Sequence, residues 1–219
     1  MPLSRRLTAE FIGTALLLAA IVGSGIMGEA LSRGNAAVAL LANAAATAGA
    51  LYALIVILAP ISGAHFNPAV TVVAHLHGDL SRRDAVAYIV VQTVTAIAGV
   101  LLAHAMFDLP LLQAGTQVRT GASQWLSEAV ATFGLILTIV LGVRHRPVAV
   151  PALVASHIFA AYWFTASTSF ANPAVTLARA LTTTFAGIRP EDVPAFVAAQ
   201  AAGTFVAIKA VGFLRPAHA

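Results

Sequence analysis

Six stretches of the chain stay apolar for the roughly twenty residues that an α-helix needs to cross about 30 Å of hydrocarbon. They run approximately Leu7–Met27, Ala36–Leu58, Ala85–Met106, Ala122–Val143, Val148–Thr165 and Val193–Phe213. No water is at hand inside a bilayer to satisfy backbone N–H and C=O groups, so such stretches fold as helices that close their own hydrogen bonds. The composition points the same way. Of 219 residues, 59% are apolar and 9% are Asp, Glu, Lys or Arg, whereas a soluble domain carries roughly 25% charged residues. Too few ionic groups remain to cover a water-exposed surface, which excludes a soluble globular enzyme, a disordered chain and a coiled coil. The net charge of +4 comes from 12 basic residues scattered singly or in pairs, so no basic patch exists and no nucleic-acid partner is expected. With no cysteine, disulfides and thiolate metal sites are excluded. The first stretch is long and no small-residue cleavage site is followed by a soluble mature domain, so it reads as a membrane span and not as a cleaved signal peptide.

Lysine and arginine near the span ends set the orientation. With the N-terminus inside, Arg5, Arg6, Arg82, Arg83, Arg144, Arg146 and Arg215 gather on the inner side, with Lys209 if it snorkels that way, against Arg33, Arg119, Arg179 and Arg189 outside. Both termini are therefore expected in the cytoplasm.

Two segments do not fit a plan of six spans. His65 to His77 and Phe170 to Leu181 are too short to cross and too apolar for ordinary loops. Each contains the same pentapeptide, Asn67-Pro68-Ala69-Val70-Thr71 and Asn172-Pro173-Ala174-Val175-Thr176. Other residues recur at similar offsets: Glu10 in the first span answers Glu128 in the fourth, and Gln92 in the third answers Gln200 in the sixth. The chain is thus a duplication of helix, helix, short segment, helix, with repeats at about 1–110 and 120–219. Three spans per copy is an odd number, so the copies lie upside down relative to each other, a layout common among membrane transport proteins.

The pentapeptide has its own physical reading. Asparagine is a preferred N-cap, and proline suits the first helical turn, where its missing N–H would have no partner anyway. The pattern predicts helices starting at Pro68 and Pro173, about seven to ten residues long, which reach about halfway across a bilayer. Two such half-helices entering from opposite sides meet near the midplane with their positive ends facing. Irregular backbone at that depth is tolerated only inside protein or beside a watery cavity. The repeat therefore predicts a pore with Asn67 and Asn172 at its centre.

Ser62 to Thr71, the second Asn-Pro-Ala at 172–174 and the paired glutamates together resemble the aquaporin/major intrinsic protein family, over nearly the whole chain. The resemblance implies an all-α membrane fold of six tilted helices plus two re-entrant half-helices, forming one channel domain over 1–219, and a homotetramer in which each subunit carries its own pore. It implies passive single-file passage of a small neutral solute, with Asn67 and Asn172 donating their amides and the half-helix dipoles repelling cations. It assigns Glu10 and Glu128 to bracing the re-entrant loops from within. No cofactor is implied and no reaction is catalysed.

One position departs from the family pattern. Most members carry arginine directly after the second Asn-Pro-Ala, in a narrow outer filter; here that residue is Val175, smaller and without donors. The filter position on the second span falls on Thr47, and the loop position on Ser169. On the fifth span, spacing from Asn172 gives Ala160, whereas matching Pro151 to the family's usual proline gives Tyr162. On either choice the filter is wider or less polar than a water-specific one. Arg179 lies one turn beyond Val175, either guarding the outer mouth in place of the missing arginine or snorkelling to lipid headgroups. Residues 165–176 most resemble the bacterial members associated with arsenic resistance, in the plasma membrane, so glycerol-like polyols, water and arsenite, a neutral trihydroxy molecule, are the expected solutes.

Histidines raise a metal question. His75 and His77 point to different helix faces and lack a carboxylate pair, so no metal site is expected there. His65, in the loop entering the first half-helix, is a candidate for lining the cytoplasmic half of the pore. His104 and His157 are expected to be packed and hydrogen-bonded.

Overall fold

The computed structural model describes residues 1–214. Arg215, counted above among the inner-side cations, lies outside them. The described residues form α1 (Leu3–Leu31), α2 (Ala36–Ser62), α3 (Pro68–Leu76), α4 (Arg82–Met106), α5 (Ala122–His145), α6 (Val150–Phe164), α7 (Pro173–Arg179) and α8 (Val193–Leu214), with short 3-10 turns before α6 and α8. Six of these, counting α6 and α8 with their 3-10 turns, are long and apolar enough to cross a membrane. The same order of long, long, short and long helix runs twice, α1–α4 and then α5–α8. The sequence boundaries hold to within a turn, and the spans run on past the apolar stretches into polar ends such as Arg82–Asp84.

Helix ends follow from the residues that supply them. Asn35 accepts from the N–H groups of Ala37 and Val38 to start α2, and Ser81 accepts from Asp84 to start α4. The half-helices begin as their pentapeptides dictate: the Asn67 side chain caps Ala69, and that of Asn172 caps Ala174 and Val175. The connections 32–35, 107–121 and 180–192 lie at one end of the bundle, here the upper end. The N-terminus, residues 77–81 and residues 146–149 lie at the lower end.

The distribution of polarity is the reverse of that in a soluble domain. Phe11, Leu16, Ile57, Val94, Leu126 and Phe205 are exposed on the outer surface, while Glu10, Asn43, Gln92, Glu128 and Gln200 are buried. Apolar residues facing outward lose nothing in lipid, and the buried polar groups must then find partners within the protein. Close helix contact in both repeats depends on small residues. A Cβ at Gly99 would run into the carbonyl of Ala15 across the α1–α4 contact, and one at Gly203 into that of Ala129 across α5–α8.

Candidate functional site

A cavity of about 840 Å3 runs along the bundle axis, passing Asn67 and Asn172. Its walls are stripes at helical spacing: Thr47, Leu51 and Ile55 on α2; Val150, Val154, Ile158 and Tyr162 on α6; Val175 and Arg179 on α7. Residues four apart share a helix face, so each stripe turns one side chain per turn toward the lumen.

The two half-helices meet through their caps. Asn67 donates from Nδ2 to the carbonyl of Ala171 at 2.8 Å, and Asn172 donates to that of Phe66 at 2.8 Å. Each amide oxygen is occupied by its own helix start. A side-chain amide has two hydrogens, so each asparagine keeps one for a group in the lumen.

The backbone leading into each half-helix is unusual and identical in pattern. Ala64 and Phe66, three and one residues before Asn67, have φ of 50° and 48°; Ser169 and Ala171, three and one before Asn172, have 51° and 47°. Left-handed backbone costs a non-glycine residue of order 1–3 kcal/mol, so something must hold it. The holders are the glutamates. Glu10 Oε1 accepts from Ser62 Oγ at 2.7 Å and the His65 N–H at 3.0 Å, and Oε2 accepts from the Phe66 N–H and Gln92 Nε2, both at 2.8 Å. Glu128 accepts from the N–H groups of Phe170 at 2.8 Å and Ala171 at 2.9 Å, and from Gln200 Nε2 at 2.7 Å. Each glutamine also donates to the pentapeptide threonine, Gln92 to Thr71 at 2.9 Å and Gln200 to Thr176 at 2.8 Å. Both carboxylates are fully buried and away from the lumen. The glutamines were visible in the sequence as repeat partners, but their link to the threonines was not.

At the upper end the cavity passes Thr47, Tyr162, Ser169, Val175 and Arg179. The Tyr162 hydroxyl lies 3.4 Å from Thr47 Oγ1. Of the two fifth-span candidates, Tyr162 is buried and lumen-facing, while Ala160 is exposed and lines nothing. The reason is periodicity: residue 160 lies two positions from both 158 and 162, on the far side of α6. Arg179 is 2% exposed, which overturns the alternative of a guanidinium snorkelling to headgroups. Arg119, which sequence reading used only for orientation, sits over the same loop. Its Nε donates to the Gly187 carbonyl at 2.8 Å and its Nη1 to the Ser167 carbonyl at 3.2 Å. A single basic residue in a connection carries no sequence signal for that role.

At the lower end His65 lines the cavity, with Nδ1 3.1 Å from Thr71 Oγ1. His77 and Asp79 line the mouth, while His75 bonds the Leu80 carbonyl. His104 bonds the Leu111 carbonyl and Thr182 Oγ1, and His157 bonds the Ala131 carbonyl. All three are occupied in holding segments together.

The family model described as major intrinsic protein matches residues 1–162. The chain belongs to the major intrinsic protein family. Among similar proteins, the aquaglyceroporin AqpS of Rhizobium meliloti (strain 1021) is 57% identical over 97% of this chain and 91% of its own length. The aquaporin TIP1-2 of Zea mays is 34% identical over 80% of this chain and 73% of its own. In fold, the chain resembles the solved aquaglyceroporin of Plasmodium falciparum, with a TM-score of 0.74, 16% identity and 95% of each chain covered. As a major intrinsic protein it is a multi-pass membrane channel and not an enzyme. Its two half-helices and axial cavity are the parts of the family's architecture that bear on passage.

Proposed function

We propose that this channel passes small uncharged polyhydroxy solutes of about glycerol size, together with water, and that neutral trihydroxy metalloid species such as arsenite fall within its range. The observation that carries the reading is Val175. It lines the upper lumen at the position where the sequence resemblance places arginine in most members, and it brings neither charge nor donors there. Hydroxyls from Thr47 and Tyr162 and the spare amide hydrogens of Asn67 and Asn172 offer partners spaced along apolar stripes such as Leu51 and Ile55 on α2 and Val154 and Ile158 on α6. That mixture suits a solute with several hydroxyls on a small carbon or metalloid frame. The 57% identity to a protein named an aquaglyceroporin supports the same solute class.

The channel works passively. Glu10 and Glu128 are buried away from the lumen and engaged by loop N–H groups and glutamine amides, which supports a bracing role for both. Both termini lie in the cytoplasm of a bacterial cell, the channel sits in the plasma membrane, and four copies assemble with one pore each; the arginine distribution and the family resemblance support this arrangement.

The test is osmotic swelling of proteoliposomes with a graded series of neutral solutes, comparing wild type with Val175→Arg. Glycerol-sized solutes enter wild-type vesicles, and the substitution lowers their entry more than that of water. An equal effect on both, or wild-type vesicles open to water alone, refutes the solute reading. Uptake driven by a pH or sodium gradient refutes passive transport.

A further inference from the structure

The guanidinium of Arg179 is placed in a way that neither helix capping nor ion pairing explains. Side chains on a helix lean toward its N-terminus. An arginine at the last position of α7 therefore carries its head group back by about a turn, toward the level of Val175, where the small side chain leaves room. Its Nε donates to the carbonyl of Ala186, and its Cζ lies 3.4 Å from the centroid of the Phe170 ring. Nη1 is buried with no hydrogen-bond partner. Among the described residues no carboxylate pairs with it: the ion pairs are Arg6–Asp84 and Arg189–Asp192. A desolvated, unpaired cation is strongly unfavourable, so a guanidinium kept in this position needs a return. Arg179 lines the lumen, and so does Ser169, whose Oγ is the other buried, partnerless polar atom at this level.

The surroundings hold that guanidinium in place. Phe170, one residue from Ser169, packs edge-on against Phe196 with ring centroids 5.3 Å apart. The Arg119 guanidinium lies 4.9 Å from the same Phe170 ring and ties the carbonyls of Gly187 and Ser167 together. Those carbonyls belong to the segments that follow and precede α7, so Arg119 fastens both flanks of the half-helix around the ring on which Arg179 rests.

We propose that Arg179 is the specificity-determining residue of the upper channel. The lumen-facing edge of its guanidinium, beside Ser169, receives hydroxyl groups of an uncharged polyhydroxy solute, its charge excludes cations, and Arg119 with Phe170 acts as the positioning pair. The donor missing at 175 is thus supplied from one turn further along. The inference rests on the solute reading above and adds the residues that enforce it.

The experiment uses the full chain in proteoliposomes, with stopped-flow measurement of water and glycerol permeability and a dye readout of potassium flux. Arg179→Met keeps the length and apolar shaft of the side chain but removes charge and donors. It retains water permeability, lowers the glycerol-to-water ratio roughly ten-fold, as expected for loss of one charge-assisted hydrogen bond, and opens a potassium flux. Ser169→Ala lowers the ratio less and admits no potassium. Arg119→Met and Phe170→Leu shift the ratio in the same direction, and adding either to Arg179→Met changes nothing further, the non-additivity of groups that act through one another. A wild-type ratio with no potassium flux in Arg179→Met overturns the proposal, and full additivity overturns the positioning role. Should Arg179→Met not assemble, Arg179→Lys keeps the charge without the planar fork. An intermediate ratio without potassium flux supports the proposal, and a wild-type ratio overturns it. Wild-type vesicles closed to every polyol refute the solute reading itself, an outcome distinct from a variant that behaves as wild type.

Discussion

Replacing Glu128 by glutamine tests whether a buried carboxylate is what holds the second re-entrant loop in its left-handed backbone. The amide keeps the side chain's shape but turns one oxygen into a donor. With the NH2 placed at the former Oε1, it confronts the Phe170 N–H; placed at the former Oε2, it confronts the Ala171 N–H and the Gln200 amide. At best one charge-assisted hydrogen bond is lost, worth about 1.5–3 kcal/mol, and one buried N–H is left without an acceptor, a further 1–3 kcal/mol. The expected destabilisation is about 3 kcal/mol. For a chain of this size each kcal/mol moves the midpoint by roughly 2–4 °C, so a thermal melt of purified protein falls by about 6–12 °C. Glu10 accepts two donors on each oxygen, but the Ser62 hydroxyl can turn to accept, so a glutamine with its NH2 at the Oε1 position opposes only the His65 N–H, and Glu10→Gln falls by a similar amount. Glycerol permeability drops in both variants, because Ser169 and Ala171, or Ala64 and Phe66, no longer hold their positions. A melt within 2 °C of wild type for Glu128→Gln, with unchanged permeability, would refute the reasoning and place the restraint in the packing of the loop itself.

Other outcomes follow from the same structure. Asn67→Asp keeps an N-cap for α3 but sets a carboxylate oxygen against the Ala171 carbonyl, where a donor now sits at 2.8 Å; the melt falls by about 1–3 kcal/mol equivalent and glycerol permeability declines, both measured on purified protein. Gly203→Val drives a side chain into the Ala129 carbonyl, separating α8 from α5; overpacking of this kind costs about 1–3 kcal/mol or more, read as a lower melting midpoint or loss of monodisperse protein in size-exclusion chromatography. Thr47→Phe removes the hydroxyl facing Tyr162 and fills part of the upper lumen, so swelling assays show glycerol slowed more than water.

Much of this protein is legible in one dimension because the membrane simplifies the physics. Lipid cannot satisfy backbone groups, so long apolar stretches have to be helices, and the spans appear within a turn of their expected ends. The duplicated pentapeptide encodes its own N-cap and first turn, so the starts of α3 and α7 are local facts. Glu10, Glu128, Gln92 and Gln200 were recognisable as pairs because the duplication preserved them.

The tertiary structure decided what depends on direction and on partners distant in the chain. Whether Ala160 or Tyr162 faces the lumen turns on how α6 is rotated about its axis, and a uniformly apolar helix carries no polar face to report that rotation; packing sets it, toward Tyr162. Arg179 could lie at the headgroups or in the lumen by spacing alone. The Phe170 ring and the Ala186 carbonyl put it inside. Arg119 became part of the site only through the segments it ties, 48 and 68 residues away in sequence. Backbone preference and hydrophobic length are properties of short windows, so the sequence by itself determined the helices and the two half-helices. Side-chain direction and the company of a buried charge arise only when windows meet, and those belong to the folded bundle.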